Sequence, residues 1–395
     1  MAFNPPRWRA LVLAVLLVAA PLPAHAQEPV LSGIDVLLAD PPQALVGKRI
    51  GLITNRSAVD AKGVSDIDRL YADKRFKLVR LFAPEHGLRA DRQGDIVDGK
   101  DTVTGLAVMS LYGSLKKPTR AMLEGLDALV FDIQDVGARF YTYHSTMALA
   151  MQTAKEVGIP FVVLDRPNPI NGKAVEGAVL DPKLASFVGY YPIPVRHGMT
   201  MGELAKLYNE AFGIGASLSV VPLRNWERGM WFDQTALPWV NPSPAMKTPL
   251  TATLYPGICL FEATNVDCRV GDRPFEKVGA SWIDGAAYAR ALSAHALPGV
   301  KFAPFREGTV SGVEVKVTDR EAFQAVKTGL VMIAEVRRLY PDRLRIEAKG
   351  FDRMTGASWI REKLLAGEAP AAITAAWQDQ TRAFERDRAP YLLYR

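Results

Sequence analysis

The chain has 395 residues and a formal net charge of +6, from 48 Lys and Arg against 42 Asp and Glu. The basic residues are scattered rather than clustered, so nucleic acid is not an expected partner. The length exceeds that of one typical domain and predicts two.

Residues 1–26 have the pattern of a secretory signal peptide. Arg7 and Arg9 form a basic start, Leu11–Ala20 is an apolar run, and Ala24-His25-Ala26 is a small-residue cleavage site. The apolar run is shorter than the roughly 20 residues that a membrane-spanning helix needs, so no stable membrane insertion is expected. We therefore expect an exported protein, periplasmic in a Gram-negative cell, after cleavage near Ala26.

Strand and helix patterns alternate through the first two thirds of the chain. Short continuous apolar runs predict strands, and apolar residues at helical spacing predict the helices between them. Buried strands separated by helices form a parallel sheet that is covered on both faces, which places the chain in the α/β class. The predicted strands are 49–54, 76–82, 128–133, 161–164 and 218–223, and the predicted helices are 64–71, 143–157 and 201–212.

Residues 238–275 interrupt this alternation. They are rich in Pro, Asn and Thr, show no clear helix, and are interpreted as a functional connection. The patterns after them predict a smaller α+β region, so we expect domains over 27–245 and 246–395. The predicted helices of the second domain are 284–294, 321–339 and 371–386, and its predicted strand is 310–317.

Two cysteines, Cys259 and Cys268, lie in the connecting segment. In an oxidising compartment they could form a disulfide, and two buried free thiols are the alternative. Spacing along the chain does not decide between these, because a disulfide depends on the geometry of the folded chain.

The stretch Leu78–Gly87 is the most informative for function. An apolar strand stops at Pro84, and Glu85 and His86 follow at once. Ligands of open α/β sheets bind outside the carboxyl ends of the strands, which is where this pair would lie. A Glu–His pair there could form an acid/base centre. The alternative is a capped turn with a surface glutamate.

Further polar side chains follow other predicted strands. Amides and carboxylates bind sugar hydroxyls, tyrosine rings cover the apolar face of a sugar, and arginines can clamp a carboxylate. Each also has a structural alternative: Asp132 as a core carboxylate, Arg139 as a partner of Asp135, and Asn168 as a turn residue. The candidate binding residues are Asn55, Asp132, Gln134, Arg139, Tyr141, Arg166, Asn168, Arg196 and His197.

Cofactor and metal sites are not expected. The chain has no Gly-x-Gly-x-x-Gly or Walker sequence, so a nucleotide is not indicated. A metal site built from His86, His144 and His197 with Asp132 is conceivable, but none of these residues has a metal-binding spacing.

These segments form an ordered series of motifs through nearly the whole mature chain. The motifs are Gly51–Asn55, Pro84–Arg89, Ser110–Gly113, Asp132–Tyr143, Leu164–Pro169, Arg196–Leu204, Asn241–Pro244 and Tyr255–Gly257. The series resembles the exo-β-N-acetylmuramidases of the NamZ type. That resemblance implies a Rossmann-like domain, a smaller C-terminal domain and an active cleft between them. It further implies a glycosidase that releases N-acetylmuramic acid from the non-reducing ends of peptidoglycan-derived saccharides, with Glu85 as the catalytic glutamate.

One region departs from the usual family pattern. Ala245 and Lys247 replace an asparagine and a proline of that pattern, whereas Glu262 and Asn265 occupy plausible positions and are further candidate binding residues. These differences concern substrate detail rather than the fold.

The expected mechanism has Glu85 as general acid, assisted or oriented by His86 or His197. Asp132 and Asp135 are candidates for the second carboxylate that ordinary glycosidases use, and the 2-acetamido group of the substrate is the alternative. The rival function is a periplasmic binding protein for muropeptides or sugars, because two α/β domains with a cleft suit it equally.

Overall fold

The computed structural model describes residues 1–2, 28–43, 45–89 and 97–395. Most of the predicted signal peptide lies outside these residues. Within the described part of the chain, no helix combines the length and the apolar character needed to cross a membrane. The described residues form twelve strands: β1 Arg49–Thr54, β2 Lys77–Ala83, β3 Gly99–Lys100, β4 Ala107–Ser110, β5 Ala128–Asp132, β6 Phe161–Leu164, β7 Glu176–Val179, β8 Pro194–Arg196, β9 Leu218–Val221, β10 Lys277–Ala280, β11 Val300–Glu307 and β12 Val310–Val317.

The helices alternate with the strands in the first region and dominate the second. The α-helices are α1 Gly33–Ala39, α2 Asp66–Ala72, α3 Arg120–Leu123, α4 Tyr143–Val157, α5 Met201–Glu210, α6 Pro249–Ile258, α7 Gly285–Ser293, α8 Ala325–Leu339, α9 Ala348–Thr355, α10 Ser358–Leu365, α11 Pro370–Ala375 and α12 Gln378–Arg388.

A seven-stranded sheet forms the centre of the first region, in the order β3-β4-β2-β1-β5-β6-β9. Neighbouring strands are parallel except β3 and β4. The central strands β1 and β5 are apolar runs buried on both faces, as expected of a covered parallel sheet. The predicted Rossmann-like α/β class is confirmed, and the five predicted strands are present with ends shifted by at most two residues. Because the strands are parallel, the loops after β1, β2, β5 and β6 meet at one edge.

A three-stranded antiparallel sheet, β10-β12-β11, lies in the second region with α7 against it, and α8 packs on α6 and α7. The predicted strand over 310–317 is confirmed as β12. The helix predicted over 371–386 is wrong as one element, since two helices, α11 and α12, occupy that stretch.

The expectation that 238–275 contains no helix is wrong. Helix α6 begins after Thr248, whose side chain accepts a hydrogen bond from the Thr251 N–H, and Pro249 suits its first turn. Pro256 lies inside the helix, and such a proline normally breaks the pattern from which a helix is predicted.

Tertiary packing stabilises α6 despite its proline. A Cβ atom on Gly257 would lie 1.9 Å from the Ala325 carbonyl oxygen, and one on Gly329 would lie 2.2 Å from the Gly257 carbonyl oxygen. The backbones of α6 and α8 are therefore in direct contact, which only glycine permits. Cys259, directly after α6, and Cys268 are buried free thiols in the structure.

Candidate active site

Glu85 lies just beyond the end of β2, at the carboxyl edge of the large sheet. Its side chain is half-buried, and Oε2 accepts a hydrogen bond from the Thr142 hydroxyl at 2.5 Å. The Tyr143 hydroxyl lies 3.4 Å from the Glu85 main-chain oxygen. Because Thr142 occupies Oε2, a proton carried by Glu85 would sit on Oε1. This role of Thr142 was not predicted from the sequence, where it is a single polar residue between two tyrosines.

The turn after Glu85 has a left-handed backbone. His86 has φ 70° and Gly87 has φ 76°. A left-handed conformation costs a residue with a side chain roughly 1–2 kcal/mol, and such strain is concentrated at functional sites. His86 and Asn55 line a cleft of about 1140 Å³, which Glu85 borders rather than lines.

An aromatic cluster joins the Glu85 loop to the second region. Tyr141 packs edge-on against Tyr143, with ring centroids 4.9 Å apart, and against Tyr255 of α6 at 5.8 Å. Tyr255 in turn packs on Phe275 at 5.0 Å. Burial and the Glu85 carboxylate raise the pKa of Tyr143, so its phenol stays protonated and donates to the Pro242 carbonyl.

The three candidate amides hold loops together. Asn55 donates to the Pro242 carbonyl and accepts hydrogen bonds from the Ser57 N–H and hydroxyl. The Gln134 amide donates to the carbonyl oxygens of Asp135 and Pro167. The Asn168 amide donates to the Met199 carbonyl. All three are buried, and they connect the loops at the carboxyl edge of the sheet. Their part in binding substrate stays a prediction.

Asp132 and Arg166 form a bidentate ion pair in the interior. The guanidinium Nε and Nη2 each donate to one carboxylate oxygen of Asp132, and Nη1 donates to the Val59 carbonyl at 3.0 Å. Burial raises the pKa of Asp132, and the positive charge of Arg166 opposes this rise. This is the arrangement of a satisfied core carboxylate.

Arg139 is wholly buried and does not pair with Asp135, so the predicted structural alternative for Arg139 is wrong. Its guanidinium donates to the carbonyls of Ala178 and Ile193 and to those of Arg353 and Met354. Burial lowers its pKa to about 9, so it remains charged at neutral pH. The last two carbonyls belong to α9, near whose carboxyl end a positive charge is favourable. Arg139 therefore joins the two regions.

Arg196 is also held by the protein. Its Nη1 donates to Glu176 Oε1 at 2.7 Å, and its Nη2 donates to the Ile170 carbonyl. The guanidinium lies over the Trp231 ring, 5.7 Å from its centroid. Clamping of a substrate carboxylate by these arginines stays a prediction.

His197 and Asp135 form a buried imidazole–carboxylate pair. His197 Nδ1 accepts a hydrogen bond from the Met199 N–H, so the proton of the neutral ring is on Nε2. That nitrogen is 3.6 Å from Asp135 Oδ2, which accepts a hydrogen bond from the Gly137 N–H. Neither His197 Nε2 nor Asp135 Oδ1 has a hydrogen-bond partner among the described residues.

Glu262 and Asn265 lie in the second region. Glu262 forms an ion pair with Arg269 at 2.5 Å. The Asn265 side chain donates to the Arg343 carbonyl and accepts from the Arg345 N–H. Glu262 lies close enough to the aromatic cluster for its charge to help raise the pKa of Tyr255.

Metal ligands are not grouped within the described ranges, where no cluster of three or more His, Cys, Asp or Glu could hold an ion. The geometry instead offers a positioned carboxyl group, a buried aromatic cluster behind it and a buried second carboxylate.

Asp165, at the end of β6, makes stability pH-dependent. It accepts hydrogen bonds from Thr200, Gly202 and Tyr394, and burial raises its pKa to about 7. Between about pH 4 and 7 the folded state keeps a proton that the unfolded chain has lost, so this contribution to stability falls as pH rises.

Asp165→Asn should remove that dependence. We expect the free energy of unfolding to fall by about 3 kcal/mol more in the wild type than in the variant between pH 5 and 7.5. Urea unfolding at both pH values measures the difference. Parallel pH curves for the two proteins would contradict the assignment.

Two family models match this chain, and together they cover most of it. A model of the N-terminal part of exo-beta-N-acetylmuramidase NamZ matches residues 50–250, and a model of its C-terminal part matches residues 253–394. The peptidoglycan beta-N-acetylmuramidase NamZ of Bacillus subtilis (strain 168) is 48% identical over 376 residues, covering 92% of this chain and 91% of that protein.

Two crystal structures of DUF1343 family proteins from Bacteroides fragilis are also similar. One has a TM-score of 0.87 at 36% identity, and the other has a TM-score of 0.73 at 29% identity. Each comparison covers 93% of this chain and 99% of the other. With both halves matched and a close relative over nearly its full length, the chain belongs to the exo-β-N-acetylmuramidase NamZ family of glycosidases.

Proposed function

We propose that this protein removes N-acetylmuramic acid from the non-reducing ends of peptidoglycan fragments, with Glu85 as the general acid. The observation that carries the proposal is the Glu85 carboxyl group, half-buried at the sheet edge and fixed by Thr142. The Bacillus subtilis relative supports the class of substrate.

In this mechanism Glu85 Oε1 delivers a proton to the glycosidic oxygen as the bond to the leaving sugar breaks. The hydrogen bond from Thr142 to Oε2 sets the direction of that proton. The buried rings of Tyr141 and Tyr143 pack edge-on behind Glu85 and support its loop. We place the bound saccharide in the adjoining cleft, which His86 and Asn55 line.

Asp135 is better placed than Asp132 to act as the second carboxylate of the reaction. Arg166 engages both oxygens of Asp132, whereas one oxygen of Asp135 has no partner within the described structure. The charges of Glu85 and Asp135 both contribute to the raised pKa of Tyr143, so both carboxylates lie near that hydroxyl. We assign Asp135 to assist either an attacking water or the 2-acetamido group of the substrate.

The predicted signal peptide and the proposed substrate together suggest a biological setting. A signal peptide over 1–26 would export the protein, and peptidoglycan fragments in that compartment would be its substrates in cell-wall turnover.

The test compares two chromogenic substrates, a β-N-acetylmuramide and the matching β-N-acetylglucosaminide. We expect release from the muramide alone. Saturable binding of muropeptides without release of either chromophore would contradict the proposal and indicate a binding protein.

A further inference from the structure

Arg388, the last residue of α12, lies behind the His197 turn. It is 5% exposed. Its Nη1 donates to the carbonyls of Gly172, His197 and Gly198 at 3.2, 2.9 and 2.6 Å. Its Nη2 donates to the Lys173 carbonyl at 3.0 Å. One guanidinium from the second region therefore gathers four carbonyls of the first.

The turn is shaped around this guanidinium. Gly198 has φ 61°, and a Cβ atom there would lie 2.4 Å from Arg388 Nη1. Burial and the nearby charge of Arg228 lower the pKa of Arg388 to about 10, so it stays charged at neutral pH. A planar fork of N–H groups can reach several carbonyls at once, which a lysine ammonium cannot do in the same geometry.

The segment after Arg388 fixes the other end of the same turn. The Tyr394 hydroxyl donates to Asp165 Oδ2 at 2.6 Å, and the Leu393 N–H donates to Glu203 Oε1 at 2.8 Å. Asp165 and Glu203 in turn accept hydrogen bonds from Thr200, which starts α5. The C-terminal segment thus holds the His197 turn on two sides. Arg388 binds its carbonyls, and Leu393 and Tyr394 bind the side chains that anchor Thr200.

We infer that Arg388 is a positioning residue for the muramidase reaction, acting through the main chain of His197 and Gly198. By fixing these carbonyls it holds the His197 imidazole 3.6 Å from Asp135. His197 is wholly buried and its Nε2 lies 3.6 Å from Asp135 Oδ2, so its role is to orient that carboxylate. The inference rests on the proposed function, in which Asp135 takes part.

Arg388→Met removes the guanidinium and keeps most of the side-chain volume. We expect kcat for the muramide to fall at least 10-fold with KM within about threefold, because the substrate-facing wall is unchanged. Arg388→Lys should recover part of the loss. Arg338→Met, which removes a guanidinium paired with Glu335 on α8, is the matched control and should keep wild-type kinetics.

A double variant separates positioning from general support of the fold. If Arg388 acts through His197, Arg388→Met should add little to the loss caused by His197→Gln. The inference would be overturned if the double variant lost activity by the product of the two single losses. An unchanged kcat in either Arg388→Met or His197→Gln alone would overturn it as well. If Arg388→Met does not fold, Arg388→Lys alone and combined with His197→Gln gives the same comparison. A Glu85→Gln variant that keeps wild-type kcat on a muramyl disaccharide would instead overturn the proposed function.

Discussion

Glu85→Gln should lower kcat on a muramyl disaccharide by about 10²- to 10⁴-fold, the usual contribution of a general acid. Glutamine has the same shape and can still accept the hydrogen bond from Thr142, so the fold and KM should change little. It has no acidic proton to give to the leaving oxygen. Steady-state kinetics of the purified variant measure the loss.

The leaving group identifies the role of Glu85. A nitrophenolate departs with little protonation, whereas a sugar alkoxide depends on it, so the disaccharide should lose much more activity than a nitrophenyl muramide. Glu156→Gln, which changes an exposed glutamate on α4, is the control and should be fully active. Equal losses on both substrates would show that Glu85 is not the acid.

Arg166→Met should destabilise the folded protein by about 3–5 kcal/mol. The variant leaves the Asp132 carboxylate buried without its counter-charge, and the neighbouring Asp66 is buried as well. Burial and the charge of Asp132 already hold the pKa of Asp66 well above its usual range, so the site cannot tolerate further net negative charge. Urea unfolding at pH 7 measures the change in free energy.

The matched comparison is Arg166→Met combined with Asp132→Asn. Removing both charges should restore part of the lost stability, because the main penalty comes from the unpaired carboxylate rather than from the missing contact. A single variant within 1 kcal/mol of the wild type would show that the pair is not a structural requirement.

Much of the sheet could be predicted because most of its parallel strands contain a short run of apolar residues. Phe161–Leu164 and Tyr143–Val157 were predicted with the bounds that the structure has. Helix α6 could not be predicted, because Pro256 contradicts the local pattern and the contact of Gly257 with Ala325 lies 68 residues away in sequence.

In the candidate site, too, the positions of residues could be predicted but their distant contacts could not. The placement of Glu85 follows from the end of one strand and could be anticipated. The partners of Arg139 could not, since main-chain carbonyls have no signature in a sequence. A polar residue that follows a strand can be placed at the carboxyl edge of the sheet. The sequence does not show whether its side chain faces a ligand or a neighbouring loop.

The contact between Gly172 and Arg388 also bears on how the protein reaches its folded state. These residues are 216 positions apart, so the contact closes a very large loop, and contacts of this range form late in folding. The large sheet needs nothing beyond Val221 to complete its strands. A refolding chain should therefore gain its parallel sheet before the His197 turn is ordered, and recovery of native secondary structure should precede recovery of hydrolysis.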